Sequence, residues 1–225
     1  MRKYYQILGC VTLCITLLTM GVVAQKTPPP TALDYYPLKQ GNSWTLNLTI
    51  PGVHSGEITH GVITMTVSKV AKVGAFTVAS LEIRRDGKLQ QTEQYRITPT
   101  EIVRIAAGWN AEEKMIPPIP IVQLPMKPEQ TWKWQGKVQT KVGTTNAEAT
   151  FSVLEPEDLP VPAGTFRATQ IHAEMVLKPV QKGKVQPKSM PLDYWFVPGV
   201  GLVQQKLQLP LGILLAQLKT STLKK

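Results

Sequence analysis

VPAGTFRATQIHAEMVLKPVQKGKVQPKSMPLDYWFVPGVGLVQQKLQ, residues 161–208, decides the fold class. Pro162-Ala163-Gly164 combines a fixed φ with a residue that tolerates φ > 0, which is turn chemistry. Phe166–Leu177 is rich in β-compatible residues. A polar, Lys-bearing stretch follows, and Leu192–Val197 then carries Tyr194, Trp195 and Phe196. Pro198-Gly199 reverses the chain into Val200–Leu209. Turn, strand, loop, aromatic strand, turn and strand make an antiparallel β-protein. Gly164 and Gly199 are expected at positive φ.

The same grammar extends towards the N-terminus. In Ser43–Ile50, Trp44, Leu46, Leu48 and Ile50 alternate with Ser43, Thr45, Asn47 and Thr49, the signature of a half-buried strand. Gly56–Val70, Ala75–Arg84, Lys88–Ile97 and Glu101–Ala107 continue the series, with Asp86-Gly87 as a hairpin signal. Leu211–Leu218 is the best helix candidate, although strand and helix are hard to separate there.

Residues 115–128, MIPPIPIVQLPMKP, interrupt the pattern with Pro117, Pro118, Pro120, Pro125 and Pro128. Proline lacks the ladder donor, so no central strand is expected. The segment is too apolar for a free loop. It is expected to cover a sheet edge or to lie as a lid over an apolar cavity, with Ile119, Ile121 and Leu124 at the mouth. Trp109, between Gly108 and Asn110, reads as an exposed turn aromatic that joins them as a candidate ligand contact. Trp132, Trp134 and Trp195 read as core.

Order-preserving similarities link the two halves. Pro37–Trp44 parallels Pro125–Trp132, Thr64–Val67 parallels Thr150–Val153, and Gly74–Phe76 parallels Gly164–Phe166. Tyr95…Pro99…Val103 parallels Tyr194…Pro198…Val203. Two repeated meanders, 37–107 and 125–209, are expected to pack into one domain spanning 37–225. The fold class is all-β with little helix: one curved sheet, half-barrel or sandwich.

Arg2 and Lys3 precede an apolar run, Ile7–Val23, that ends in Val22-Val23-Ala24. This reads as a signal peptide, 1–24, cleaved after Ala24; the alternative is an uncleaved anchor. Residues 25–36, with Pro28-Pro29-Pro30, read as a Pro-rich linker. Both cysteines, Cys10 and Cys14, lie in the leader, so the mature chain has no disulfide and fits a bacterial periplasmic or extracellular protein. The chain carries a net charge of +10, of which Arg2 and Lys3 supply two. Lys178, Lys182, Lys184 and Lys188 are spaced through one loop and are the candidate contacts for an anionic surface or envelope polymer. No nucleic-acid motif is present.

The motifs PLxxGxxW (Pro37–Trp44), VPAGTF (Val161–Phe166) and YWFVPGVGLV (Tyr194–Val203) resemble those of a group of exported bacterial proteins of unknown function. More distantly the chain is similar to the lipoprotein-carrier class, which implies a curved antiparallel sheet around an apolar cavity.

Catalytic chemistry is not legible. His54 and His60 flank Glu57 but have no third ligand at a metal-binding spacing. Glu155, Glu157 and Asp158 read as a solvated turn. Glu93, Glu101 and Glu174 are carboxylates on strands with no partner across a cleft. The expectation is a non-enzymatic binding domain without metal or cofactor, for lipid or another apolar or amphipathic small molecule. A structural protein that binds envelope polymer or a protein partner is the alternative, and a hydrolase is the least favoured.

Overall fold

Period-two patterning produces strands almost throughout. In β1 (Ser43–Pro51) Trp44, Leu46 and Leu48 are buried while Asn47 faces solvent. The computed structural model describes residues 29–52, 57–181 and 184–224. The leader, Cys10, Cys14, His54 and Lys182 lie outside the described residues. A one-turn helix α1 (Ala32–Tyr35) comes first. After β1 come β2 (Ile58–Val73), β3 (Phe76–Arg85), β4 (Lys88–Ile97), β5 (Glu101–Ala107), β6 (Glu113–Gln123) and β7 (Thr131–Thr140). Then follow β8 (Gly143–Val153), β9 (Glu157–Val161), β10 (Gly164–Lys178) and the short pair β11 (Val180–Gln181) and β12 (Lys184–Val185). The chain ends with β13 (Lys188–Val197), β14 (Gly201–Leu209) and β15 (Gly212–Thr222).

The sheet closes on itself. Each of β1 to β7 pairs with its successor, β8 pairs with β10, β10 with β13, and β13 runs through β14 and β15 back to β1. The decisive ladders are Thr169↔Phe196 to Leu177↔Lys188 and Ser43↔Thr222 to Thr49↔Leu215. All are antiparallel. Twelve strands therefore form a closed barrel, with β9 added beside the first five residues of β10. The expectation of a half-barrel or sandwich is corrected accordingly: closure removes the free edges that an open sheet would leave. Of Leu211–Leu218, Leu211 lies in the β14–β15 turn and the rest falls in β15, where Ala216 and Leu218 alternate inward, so it is strand and not helix.

Apolar side chains line most of the inside. Leu46, Val67, Leu81, Ile102, Phe151, Ile171 and Leu218 are almost fully buried, whereas Asn47, Lys133 and Lys137 face outward. This is the reverse of a membrane-spanning barrel, which is apolar outside and polar within.

The Pro-rich segment is the second correction. It is neither lid nor cover, because β6 is a stave of the barrel wall. Its ladder to β5 is broken by two irregularities, and it pairs with β7 only from Lys114 to Ile116. Beyond that, β7 supplies other donors. The Trp134 indole N–H donates to the Pro117 carbonyl at 2.9 Å, and that of Trp132 to the Pro120 carbonyl at 3.4 Å. Indoles thus stand in where the backbone ladder lapses. Gly136 lets the two strands approach, since a Cβ there would lie 2.5 Å from the Ile116 carbonyl oxygen.

The last part of the stretch read as a linker is docked. Ala32 and Tyr36 are buried, the Ala32 N–H donates to the Pro99 carbonyl, and the Gly199 N–H donates to the Asp34 carbonyl. Residues 32–38 plug the barrel end that carries the turns at 98–100 and 198–200. The opposite end carries the β3–β4, β5–β6, β7–β8, β10–β13 and β14–β15 connections.

The two PLxxGxxW-like segments make equivalent backbone bonds. The Gly41 N–H donates to Val67 and the Val67 N–H to Asn42; likewise the Glu129 N–H donates to Val153 and the Val153 N–H to Gln130. Trp44 and Trp132 are both buried.

Candidate functional site

The interior is layered along the barrel axis. Nearest the plug is an aromatic layer. Tyr36 packs on Trp44, Tyr95 and Phe196 with ring centroids 5.5–5.8 Å apart. Such tilted and edge-on contacts are favoured by the ring quadrupoles.

A polar layer follows. β4 turns Gln91, Glu93, Tyr95 and Ile97 inward by alternation, and Arg104 on β5 stands opposite Tyr95 in the ladder. The Glu93 carboxylate accepts from three donors: Tyr95 Oη on one oxygen, and Gln91 Nε2 at 3.1 Å and Arg104 Nη1 at 3.3 Å on the other. The side chains of Glu93 and Arg104 are only 9% and 15% exposed. Burial pushes the Tyr95 phenol well above its ordinary pKa, and the Glu93 charge adds to that, so Tyr95 stays a donor. Burial opposes the charge on Arg104, but Tyr194, Glu93 and Tyr95 more than offset it, and the guanidinium stays protonated. Tyr194, on β13, reaches the same layer; its hydroxyl and Arg104 Nε are buried with no hydrogen-bond partner among the described residues.

Beyond the polar layer, towards the open end, lies a cavity of about 370 Å³. Its floor is Glu93, Arg104 and Tyr194, and its walls include Met115, Ile119, Trp134, Met175 and Leu192. Glu113, Val138 and Leu177 carry it to the rim. The volume lies within the ~300–1,000 Å³ range of small-molecule sites, towards its lower end. An ion pair beneath apolar walls is costly to bury and is by itself poor stability evidence, so its presence marks a candidate site.

The structure separates the residues singled out from sequence. Ile119 lines the cavity. Ile121 lines a void of about 50 Å³ on the plug side of the polar layer. Leu124 lies past the end of β6, against the core at the plugged end, so neither Ile121 nor Leu124 is at a mouth. Trp109 is 55% exposed in a 3₁₀ turn, Trp109–Ala111, on the open rim. Lys178 is paired with Glu148 at 2.6 Å on the outer face. Lys184 and Lys188 are exposed at the open end.

Other candidates resolve into structural roles. Glu157 accepts the Trp195 indole N–H at 2.6 Å, which ties the acidic turn to the wall. On the outer face His172 sits between Asp193 (2.7 Å) and Glu174 (3.2 Å), while the Ser189 hydroxyl donates to Glu174 and not to the imidazole. Burial works against the imidazolium, but the hydrogen bonds and charges of Asp193 and Glu174 outweigh it and raise the His172 pKa. Among the described residues no group of three His, Cys, Asp or Glu side chains, this one included, is arranged to hold a metal ion.

Sequence reading noted Glu93 and missed Arg104, Gln91 and Gln205. A partial signal was present, because Arg104 stands two residues after Ile102 in a largely apolar strand; the irregularity after Arg104, which puts Ala107 and not Ala106 on the same face, gives none.

No family model matches the chain, and no curated protein matches it. Among solved structures, the barrel is similar to a protein assigned as exported, of YmcC-like fold, from Bacteroides fragilis. The TM-score is 0.55 at 14% identity, over 84% of this chain and 99% of that one. It is also similar to a protein assigned as a lipoprotein from Parabacteroides distasonis, with a TM-score of 0.57 at 11% identity, over 87% of this chain and 100% of that one. At these identities the likeness shows a shared fold.

Proposed function

We propose that this is a non-enzymatic, extracytoplasmic binding barrel that takes a lipid-like, apolar or amphipathic small molecule into the cavity at its open end. The cavity itself is the supporting observation. Twelve strands enclose more than the interior that side chains fill in an eight-stranded barrel, and at one end residues 32–38 take up the difference. The open half keeps apolar walls around free volume, which is how small-molecule sites are built. The signal-peptide reading, the confinement of both cysteines to the leader and the likeness to proteins assigned as exported or as lipoproteins support the location. Lys184 and Lys188, at the same end as the cavity, favour approach to an anionic envelope surface. The same reading keeps the two repeated meanders, 37–107 and 125–209, as β1–β5 and β7–β14, the second enlarged by β9 and the β11–β12 hairpin.

The test uses the protein without its leader and a fluorescent single-chain alkyl probe. The expected result is saturable uptake that Ala107→Phe abolishes. Ala107 lines the cavity, and a phenyl ring there occupies the free volume at a packing cost of about 1–3 kcal/mol. Circular dichroism of the variant checks the fold. No uptake by the unmodified protein, or uptake unaffected by Ala107→Phe, overturns the reading.

A further inference from the structure

We propose that the cavity recognises its ligand head-first, through an uncharged hydrogen-bond acceptor such as the ester or amide carbonyl of a single-chain acyl compound, set against Arg104 and Tyr194. This rests on the cavity being a binding site and specifies what it binds.

The donor and acceptor count of the floor carries the inference. Both Glu93 oxygens are engaged, receiving Gln91, Arg104 and Tyr95 between them. A guanidinium has five N–H donors. Arg104 places one hydrogen bond, on Glu93, and its Nε has no partner among the described residues. The Tyr194 hydroxyl, on a residue 5% exposed, makes no hydrogen bond of proper geometry among the described residues, although it lies close enough to the Arg104 guanidinium for that contact to oppose the rise in its pKa that burial causes. Both residues line the cavity. A buried donor left unpaired costs about 1–3 kcal/mol. The floor thus has donors to spare while both oxygens of its one carboxylate already accept, so the group that best completes it is an acceptor.

Charge decides which acceptor. The ionised side chains lining the cavity are Glu93, Arg104 and Glu113. Glu93 already neutralises Arg104, and Glu113 stands exposed on the approach. A carboxylate head would enter past one anion and settle beside another, with a single cation between them in an apolar surround. That arrangement disfavours the ionised head. A cationic head would meet Arg104. A neutral carbonyl takes the spare N–H and O–H donors without adding charge. The apolar walls between floor and rim then hold the chain, and a volume near the low end of the usual range suits one chain.

Three probes with one fluorophore and one chain length test this, ending in a methyl ester, a plain hydrocarbon or a free carboxylate. At neutral pH the expected order of affinity is ester, then hydrocarbon, then carboxylate. The ester should lead the hydrocarbon by about tenfold or more, as a hydrogen bond to a charged donor implies, and the carboxylate should trail both because of Glu93 and Glu113. Tyr194→Phe keeps the ring and removes only an unpaired hydroxyl. It should weaken the ester several-fold and leave the hydrocarbon probe unchanged. Carboxylate binding as tight as ester, ester no tighter than hydrocarbon, or equal loss for both probes in Tyr194→Phe each overturns head-first recognition while the cavity reading stands. Failure of all three probes to bind overturns the cavity reading and this inference with it.

Discussion

Gly199 and Gly201 bracket Val200, whose carbonyl oxygen receives the Trp44 indole N–H at 2.7 Å. Both glycines have positive φ, +77° and +99°, but their surroundings differ. A Cβ on Gly199 would meet open space. A Cβ on Gly201 would lie 3.0 Å from Trp44 Nε1 and 3.1 Å from Pro37 Cδ, in the tightest part of the plug. Gly199→Ala should therefore cost only the backbone penalty, about 1 kcal/mol. Gly201→Ala should cost that plus crowding, about 2–4 kcal/mol in total. Urea midpoints of the two variants check the order, and equal midpoints would mean that the plug yields to the methyl group. The turn was legible in Pro198-Gly199, and Gly164 and Gly199 do take positive φ. The greater demand on Gly201 was not legible, because its cause is a tryptophan far away in the chain. Glu93 was similarly half-legible: it was read as a carboxylate on a strand without a partner, whereas its partner Arg104 sits on the next strand.

At the scale of the element, β6 shows where residue-type rules mislead. Proline removes a donor, and from that alone the segment should not be wall. The rule holds for the ladder, since pairing with β7 stops at Ile116. It does not extend to the strand, because the carbonyls of Pro117 and Pro120 find indole donors. Trp134→Phe removes the better of these bonds and leaves a smaller ring. The expected loss is about 1–3 kcal/mol, one hydrogen bond plus a partial cavity. Hydrogen exchange should quicken at the Ile119 amide more than at Leu46 on the far side of the barrel. Uniform acceleration would show that the indole supports the whole barrel and not this stave. The Trp132 and Trp134 alternation was visible in the sequence and read as core. That was correct as to burial and silent as to what the N–H groups do.

For the molecule as a whole, strand patterning was readable but closure was not. Alternation tells which face of each strand turns inward. It does not tell that β15 returns to β1 or that β10 meets β13, and these two seams separate a barrel from a curved sheet. Once closed, the barrel divides into a half filled by the plug and a half left with free volume. Stability and binding should then be separable. Leu38, in the plugging segment, is 1% exposed and does not line the cavity. Leu38→Ala should cost about 2–5 kcal/mol, the usual range for a buried leucine. It should lower the unfolding midpoint while leaving alkyl-probe affinity at 25 °C unchanged, provided the protein remains folded there. Ala107→Phe should do the opposite, losing the probe with a smaller change in midpoint. If Leu38→Ala weakens probe binding in proportion to its loss of stability, the two halves behave as one packed interior. The free volume at the open end would then be a packing defect and not a site.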